Sequence, residues 1–197
     1  MKLQLQIGSG RILIFMKKKV NKNLLIFGTG NLGRTVKETA EAIGIFHNIA
    51  FLDDYSNNAI GKCSEYKKFQ KDYLYAYPAF GNNRLRSRWI DIVEKEGFLV
   101  PILIHPTAYI NPTAKILKGC LIGANAVVNT DVVIDRGCII SAEAFIDNGS
   151  FIGECSNIDI GAIIKPNSIV NKMNKVEAGK IYSNPNLDVY YSFEIGV

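Results

Sequence analysis

The chain has few residues of the kinds that metal and disulfide sites require. Its 197 residues include only two histidines and four cysteines. Cys63 and Cys155 have no partner at the spacing typical of zinc ligands. Cys120 and Cys138 are 18 residues apart, which would permit a bridge, but without an export signal two buried, reduced thiols are expected. We therefore predict no metal site and no disulfide framework.

Long apolar runs and strongly charged platforms are also lacking. The apolar stretch at residues 12–16 is too short to span a membrane or to form a convincing secretory core. The formal net charge is only +5. The main basic cluster lacks the interleaved aromatic residues of a single-strand nucleic-acid platform, and consists of Lys17, Lys18, Lys19, Lys22 and Arg34. We predict a cytoplasmic protein without a membrane or nucleic-acid partner.

A six-residue repeat dominates the second half of the chain. Every sixth residue from 104 to 176 is isoleucine or valine. A mostly small side chain comes two residues before these positions, at Ala108, Ala114, Cys120, Ala126, Val132, Cys138, Ala144, Ser150, Ser156, Ala162 and Ser168. A period of six is neither helical nor that of a simple strand. It predicts a solenoid of about four triangular coils, each of three hexads, in which residues 18 apart stack.

A small α/β unit precedes the repeat. A short apolar strand at residues 24–27 leads into Gly-Thr-Gly-Asn-Leu-Gly at 28–33 and then into an amphipathic helix. A second strand ends in Asp53 and Asp54. Glycines between a strand and a helix allow a close phosphate approach, and carboxylates about 20 residues further on accept hydrogen bonds from a ribose or base. This pattern predicts a nucleotide-binding turn.

The length of this unit limits what it can hold. A full dinucleotide fold needs two mononucleotide halves, and only one half fits before the first hexad. Residues 78–81 suggest the end of another strand, and we expect Asn83 to cap a helix that carries Leu85, Trp89, Ile92 and Val93 on one face. One nucleotide is favoured over NAD. A purely structural glycine turn and a nicotinamide oxidoreductase stay open as alternatives.

The order of the motifs resembles the NeuD/PglD-type family of sialic-acid O-acetyltransferases and nucleotide-sugar N-acetyltransferases. The motifs IFGTGNLG, FLDD, AFGNNRLR, LIHPTAYINPTAKI and ANAVVNTDVVIDRGCII follow one another between residues 23 and 170. The resemblance implies a small Rossmann-like domain followed by a left-handed parallel β-helix of hexapeptide repeats. It further implies a nucleotide-linked amino sugar as substrate, acetyl-CoA as co-substrate, and a homotrimer with each active site between adjacent subunits.

The resemblance also suggests domain limits and binding residues. We expect an N-terminal extension at 1–22, the nucleotide-sugar-binding domain at 23–101, the β-helix at 102–178 and a C-terminal tail at 179–197. The residues expected to bind substrate are Gly28, Thr29, Gly30, Asp53, Asp54, Asn82 and Asn83. Gly161 and Ala162 correspond to a segment whose backbone amides face the thioester end of the coenzyme.

The catalytic positions depart from the family pattern. In the family, a histidine next to a carboxylate takes the proton from the attacking amine. Asn148 stands at this base position and Gly149 beside it, Asn157 replaces a second histidine, and Ser141 replaces an asparagine. An amide does not accept a proton at neutral pH. Of the two histidines in the chain, His47 is expected to be a surface or packing residue, and the resemblance gives His105 a structural role.

Two functions are compatible with this departure. The favoured one is an acetyl-CoA-dependent acetyltransferase that acts on an amino or hydroxyl group of a nucleotide-linked sugar in surface-polysaccharide or glycan biosynthesis. Its active site would lack the expected histidine base, which typically costs about 10²–10⁴-fold in rate. The alternative is a catalytically silent family member that binds a nucleotide sugar or serves as a structural partner.

Overall fold

The structure, a computed structural model, describes residues 22–184. The N-terminal part is an α/β layer with a three-stranded parallel sheet in the order β2-β1-β3. Its elements are β1 (Leu24–Phe27), α1 (Asn31–Ile43), β2 (Ile49–Leu52), a 3₁₀ helix (Cys63–Phe69), β3 (Tyr75–Pro78) and α2 (Asn83–Lys95). All four residues of β1 are fully buried, because helices and loops cover both faces of a central parallel strand.

The start of α2 differs by one residue from the prediction. The cap is Asn82, whose side chain accepts a hydrogen bond from the Leu85 amide at 2.9 Å, and Asn83 is already helical. Leu85, predicted on the buried face, is 39% exposed. The residues that α2 buries are Arg86, Ser87, Ile90 and Val93. An arginine within this buried set is not what hydrophobic periodicity predicts.

The C-terminal part is a left-handed parallel β-helix built from two-residue strands. They are β4 (Leu103–Ile104), β5 (Tyr109–Ile110), β6 (Lys115–Ile116), β7 (Leu121–Ile122), β8 (Val127–Val128), β9 (Val133–Ile134), β10 (Ile139–Ile140), β11 (Phe145–Ile146), β12 (Phe151–Ile152), β13 (Asn157–Ile158), β14 (Ile163–Ile164), β15 (Ile169–Val170), β16 (Lys175–Val176) and β17 (Ile181–Tyr182). The first face is β4-β7-β10-β13-β16, the second β5-β8-β11-β14-β17 and the third β6-β9-β12-β15. Residues 18 apart pair along each face, as the repeat predicts.

The two registers of the repeat fill the interior of the prism. The second residue of each strand points inward, and from Ile122 to Val170 these side chains are fully buried. The small residues two positions earlier are also buried from Cys120 onward, where a larger side chain would overpack the corner. Two serines in this slot satisfy their hydroxyls on the next coil: Ser150 donates to the Lys165 carbonyl at 2.9 Å, and Ser156 donates to the Asn171 carbonyl at 2.8 Å.

The β-helix extends beyond the predicted limit at residue 178. The strand β17 pairs in parallel with β14, and Tyr182 packs against the core in the next inward position of the repeat. The first part of the expected tail is therefore another piece of coil, in which a tyrosine takes the inward position at the end of the prism. The expected extension at 1–22 and the rest of the tail lie almost entirely outside the described residues.

The faces of the prism differ in what covers them. On the first face, the outward residues Leu103, Leu121 and Ile139 are buried in one cluster with residues of the N-terminal domain. On the second face the outward residues form an apolar column that residues 22–184 leave partly uncovered: Tyr109, Val127, Phe145, Ile163 and Ile181. The N-terminal domain therefore packs against the first face.

Candidate functional site

Three of the predicted binding segments meet at the carboxyl edge of the N-terminal sheet, because they follow β1, β2 and β3. This edge is where open α/β sheets bind ligands. Gly28 has φ +99°, and a side chain there would lie 3.3 Å from the Ala79 carbonyl. At Gly33 a side chain would lie 2.0 Å from the Gly28 carbonyl, so the third glycine lets α1 pack closely on the turn. Gly30 precedes α1 and provides no side-chain cap.

Asp53 links the first two segments. Its Oδ2 accepts hydrogen bonds from the backbone amide and the hydroxyl of Thr29, both at 2.8 Å. Its Oδ1 accepts from the Tyr55 amide at 2.9 Å. The hydrogen bonds from the Tyr55 and Thr29 amides lower the pKa of this carboxyl. Asp53 thus holds the turn after β1 against the loop after β2, a structural task in addition to the predicted contact with substrate.

Asp54 is also engaged within the chain. Its Oδ1 accepts from the Cys63 amide at 2.9 Å. An open groove of about 410 Å³ borders these carboxylates and is lined by Asp53, Asp54, Tyr55, Ser56, Asn57, Ala59, Gly61, Lys62 and Glu65. Burial, together with the charges of Asp54 and Asp53, raises the pKa of the Cys63 thiol to about 12. Cys63 is therefore a neutral packing residue below the groove.

A second groove, of about 420 Å³, lies between the two domains. It is lined by Gly81, Asn82, Asn83, Arg84, Asn157, Met173 and Lys175. Asn82 and Asn83 were predicted to bind substrate, and Asn157 stands where the family pattern has a second histidine. The structure places all three on one groove although 74 residues separate Asn83 from Asn157. We call this the interdomain groove.

Arg86 lies directly behind the interdomain groove and is fully buried. Its Nε donates to the Gly137 carbonyl at 2.8 Å, and its Nη1 donates to the Phe80 carbonyl at 2.7 Å. Its Nη2 donates to the Cys155 carbonyl at 2.8 Å and to Oδ1 of Asn157 at 2.7 Å. Burial lowers the pKa of this guanidinium. Sequence reasoning missed Arg86; the signal was an arginine one turn after the Asn82-Asn83 pair, on the face that also carries Ile90 and Val93.

Asn83 fastens the rim of the groove to the β-helix. Its Nδ2 donates to the carbonyls of Met173 at 3.0 Å and Asn174 at 3.2 Å. Its Oδ1 accepts from Arg86 Nη2 at 3.0 Å. The opposite rim carries Lys175, which is paired with Asp159 at 3.2 Å and with Glu177 at 2.8 Å. The groove is therefore walled by amide side chains and basic residues.

The structure does not bring the three degenerate catalytic positions together within one chain. Asn148 is exposed at the corner between the second and third faces, and Ser141 lies at the corner between the first and second faces. Asn157 lies on the first face. The Oδ1 of Asn148 accepts a hydrogen bond from the Thr130 amide one coil earlier, at 3.2 Å. A site containing all three would need a second subunit.

The two residues predicted to face the coenzyme have internal partners. Gly161, at φ +63°, donates its amide to the Ala142 carbonyl at 3.1 Å. The Ala162 amide donates to the Asp159 carbonyl at 3.1 Å, and its side chain is buried in the core. Both amides are therefore paired within the chain, and the predicted contact of this segment with the coenzyme stays a prediction. The corner turn satisfies these amides itself.

The histidines lie apart from the interdomain groove. His105 follows β4, and its Nδ1 accepts from the Thr107 amide at 3.2 Å within a corner turn. His47 is exposed before β2. Among residues 22–184, no three histidine, cysteine or acidic side chains are arranged to hold a metal ion. No helix in the same range is long and apolar enough to cross a membrane.

The fold and the site define a class of protein. In this class an α/β domain, equivalent to one mononucleotide half of a dinucleotide-binding fold, packs on one face of a β-helix built from hexapeptide repeats. Comparison with known families agrees. Residues 23–93 match the PglD N-terminal domain, and residues 113–148 match the bacterial transferase hexapeptide model of six repeats. These matches support the NeuD/PglD-type family. A search of curated proteins found no match to this chain.

Solved structures of similar fold include proteins from Neisseria gonorrhoeae and Caulobacter crescentus. The acetyltransferase domain of PglB from Neisseria gonorrhoeae FA1090 is 28% identical, with a TM-score of 0.70 over 84% of this chain and 93% of that one. PerB from Caulobacter crescentus, solved with CoA and GDP-perosamine, is 20% identical, with a TM-score of 0.67 over 83% and 89%. A histidine-to-asparagine mutant of the same perosamine N-acetyltransferase, also with CoA and GDP-perosamine, is 21% identical with a TM-score of 0.64 over the same shares. At 20% and 21% identity, the two Caulobacter crescentus structures show likeness of fold alone.

Proposed function

We propose that the protein is an acetyl-CoA-dependent acetyltransferase that modifies an amino or hydroxyl group of a nucleotide-linked sugar in surface-polysaccharide or glycan biosynthesis. The observation that carries this proposal is the interdomain groove, where Asn82 and Asn83 of the N-terminal domain meet Asn157 of the β-helix. A substrate bound along the carboxyl edge of the sheet reaches the β-helix at this groove.

The nucleotide part of the substrate would lie at the turn after β1 and the loop after β2. Gly28 and Gly30 allow a close approach of the backbone there, and Thr29 and Asp53 are held in one arrangement by their two mutual hydrogen bonds. Asp54 borders the adjoining groove. A preorganised polar loop binds a ligand without a further ordering cost.

Acetyl-CoA is the proposed donor. The acetyltransferase domain of PglB has been solved in complex with acetyl coenzyme A, at 25% identity to this chain and a TM-score of 0.57. The mutant perosamine N-acetyltransferase holds CoA and GDP-perosamine after a histidine has been replaced by asparagine. This fold therefore does not need every histidine to hold CoA and a nucleotide sugar, which supports binding of both by a chain with Asn148 at the position of the base.

We further propose a homotrimer in which adjacent subunits complete the site. The apolar column on the second face includes Tyr109 at 54%, Ile163 at 39% and Ile181 at 63% exposure. A flat, exposed apolar strip of this kind marks a subunit interface. It borders the corner that carries Asn148, so a neighbouring subunit packed there would bring its own surface residues to that asparagine.

A silent family member is the second candidate, and one observation favours it. Asn148, at the position where the family has its base, is engaged in a hydrogen bond that joins two coils. Such a residue contributes to stability whether or not the protein is an enzyme. The silent protein would bind the nucleotide sugar through the same carboxyl edge but would have no use for acetyl-CoA.

Calorimetric titration separates the two functions. We expect acetyl-CoA and GDP-perosamine each to bind with a dissociation constant below about 1 mM, the upper end of typical substrate affinities. Binding of GDP-perosamine alone would favour the silent protein. If neither ligand binds, both readings of the interdomain groove are wrong. Light scattering of the same sample tests the trimer, and a monomer would contradict the proposed interface.

A further inference from the structure

The side chain of Asn157 is held on both of its polar atoms. Its Oδ1 accepts from Arg86 Nη2 at 2.7 Å, and its Nδ2 donates to the Gly81 carbonyl at 3.3 Å. Only 9% of the residue is exposed, yet it lines the interdomain groove. These two bonds join the β-helix to the loop after β3.

The contact with Arg86 decides which way the amide faces. A guanidinium has donors only, so the atom of Asn157 that meets it must be the oxygen. The nitrogen then lies on the other side, where one of its two hydrogens goes to Gly81 and the second is left for the groove. A free asparagine can present either a donor or an acceptor to a ligand. Asn157 presents only an N–H.

The buried environment of Arg86 strengthens its hydrogen bond to Asn157. It is fully buried, and every acceptor that its hydrogen bonds reach is a neutral carbonyl or amide oxygen. A buried charge is costly unless its hydrogen bonds are made. The guanidinium therefore holds its acceptors firmly, and the planar fork reaches both domains at once, which a lysine could not do.

We propose that Arg86 is a positioning residue that fixes Asn157 as a hydrogen-bond donor at the wall of the interdomain groove. The ligand group placed there must be an acceptor, such as a carbonyl, hydroxyl or phosphoryl oxygen, and Asn157 takes no proton from it. This inference rests on the proposed function only for the identity of the ligand. The orientation of the amide does not depend on it.

The variant Asn157→Asp separates positioning from donation. Its carboxylate still accepts from Arg86 and supplies a counter-charge that offsets the lost bond to the Gly81 carbonyl, but it has no N–H for the groove. Asn157→Ala removes both. The matched control is Asn174→Asp, which adds the same charge close by and keeps the bond that its side chain accepts from the Lys175 amide. Because Arg86 is intact in all three, none of them leaves the buried guanidinium without most of its acceptors.

Thermal melting tests the positioning and needs no ligand. We expect Asn157→Asp to melt no lower than the wild type and Asn157→Ala to melt at least about 3 °C lower, as expected for loss of a charge-assisted bond in a chain of this size. If Asn157→Asp melts as low as Asn157→Ala, Arg86 does not hold the amide through its oxygen and the proposal is wrong.

Calorimetry with acetyl-CoA and GDP-perosamine tests the donor. We expect Asn157→Asp to bind at least one of them tenfold or more weakly than both the wild type and Asn174→Asp. Unchanged binding of both would overturn the donor role. If the wild type binds neither probe, the proposed function is wrong, and so is the role of Asn157 as a donor to the ligand. The order of melting temperatures still decides whether Arg86 positions Asn157.

Discussion

The side-chain oxygen of Asn148 accepts a hydrogen bond from the backbone amide of Thr130, one coil below it, at 3.2 Å. The residue at the expected position of the catalytic base is therefore part of the stacking between coils. It is also exposed, so its replacement disturbs neither the aliphatic core nor the interdomain groove. This corner is the place to test whether the scaffold still supports catalysis.

Asn148→His is expected to raise the rate of acetyl transfer. A histidine there restores a group whose pKa lies near neutrality, and general base catalysis contributes about 10²–10⁴-fold. Loss of the bond to Thr130 should cost about 0.5–1.5 kcal/mol of stability. Thr130→His places a histidine at the same corner one coil earlier and keeps the Thr130 amide. It should leave the rate unchanged, and a gain in both variants would show that position 148 is not special.

Adding Gly149→Asp to Asn148→His is expected to raise the rate further. The carboxylate would orient the new imidazole and stabilise its protonated form. Gly149 has φ +67°, but Asp131 and Glu143 occupy equivalent corners at φ 55° and 61°, so an aspartate fits this backbone at a modest cost of about 1 kcal/mol. A double variant that is folded and binds both substrates, yet is no faster than the single one, would contradict the assignment of Gly149.

Asp53 should make the stability of the N-terminal domain depend on pH. Its hydrogen bonds lower its pKa in the folded state, so the stabilisation is present above the unfolded pKa of about 3.9 and is lost as the pH falls through the folded value. We expect Asp53→Asn to cost about 1–2 kcal/mol in urea unfolding at pH 7, at the low end for a charged acceptor that is partly exposed. The difference from the wild type should shrink near pH 3.

The control for this experiment is Asp131→Asn at an exposed corner of the β-helix. Other corners already carry asparagine at this position, as at Asn125 and Asn167. Its unfolding midpoint should follow that of the wild type at both pH values. The difference in unfolding free energy between Asp53→Asn and the wild type could instead stay constant down to pH 3. That result would show that the bonds to Thr29 and Tyr55 do not require the charge of Asp53.

The six-residue repeat predicts the β-helix in detail because the position of a residue within its hexad determines whether its side chain points inward or outward. Ile146 is buried and Phe145 is not, as the pattern requires. The carboxyl edge of the N-terminal sheet was predictable for a similar reason, since its residues directly follow strands. The interdomain groove was not, because contacts such as Arg86 to Asn157 join segments 71 residues apart. Periodicity gives the face on which a residue lies but not the partner it meets across a domain boundary.

The four cysteines should be slow to react with Ellman's reagent in the native protein. All are buried, and burial raises the pKa of Cys138 and Cys155 as well as that of Cys63. A thiol with a raised pKa stays protonated, and the thiolate is the reactive form. At pH 8 we expect less than one thiol per chain to react within minutes, and four after unfolding in guanidinium. Rapid reaction of a native thiol would contradict the packing of these residues.

Ile163→Glu is expected to break the proposed trimer. It places a charge in the middle of the apolar column, where desolvation against a neighbouring subunit is costly. Ile160→Glu is the matched control, because Ile160 is more exposed, at 59%, and lies at a corner outside the column. Sedimentation should show monomers for Ile163→Glu and trimers for Ile160→Glu. Trimers in both would place the interface on another face.

Acetyl transfer itself tests the central claim most directly. Labelled acetyl-CoA and GDP-perosamine are incubated with an excess of the wild-type protein, and the nucleotide sugar is analysed for acetyl groups by mass spectrometry. With GDP-perosamine serving as the test nucleotide sugar, the account predicts slow acetylation above the rate without protein, and a faster rate with Asn148→His. Binding of both substrates without any product, in the wild type and in Asn148→His alike, would contradict it.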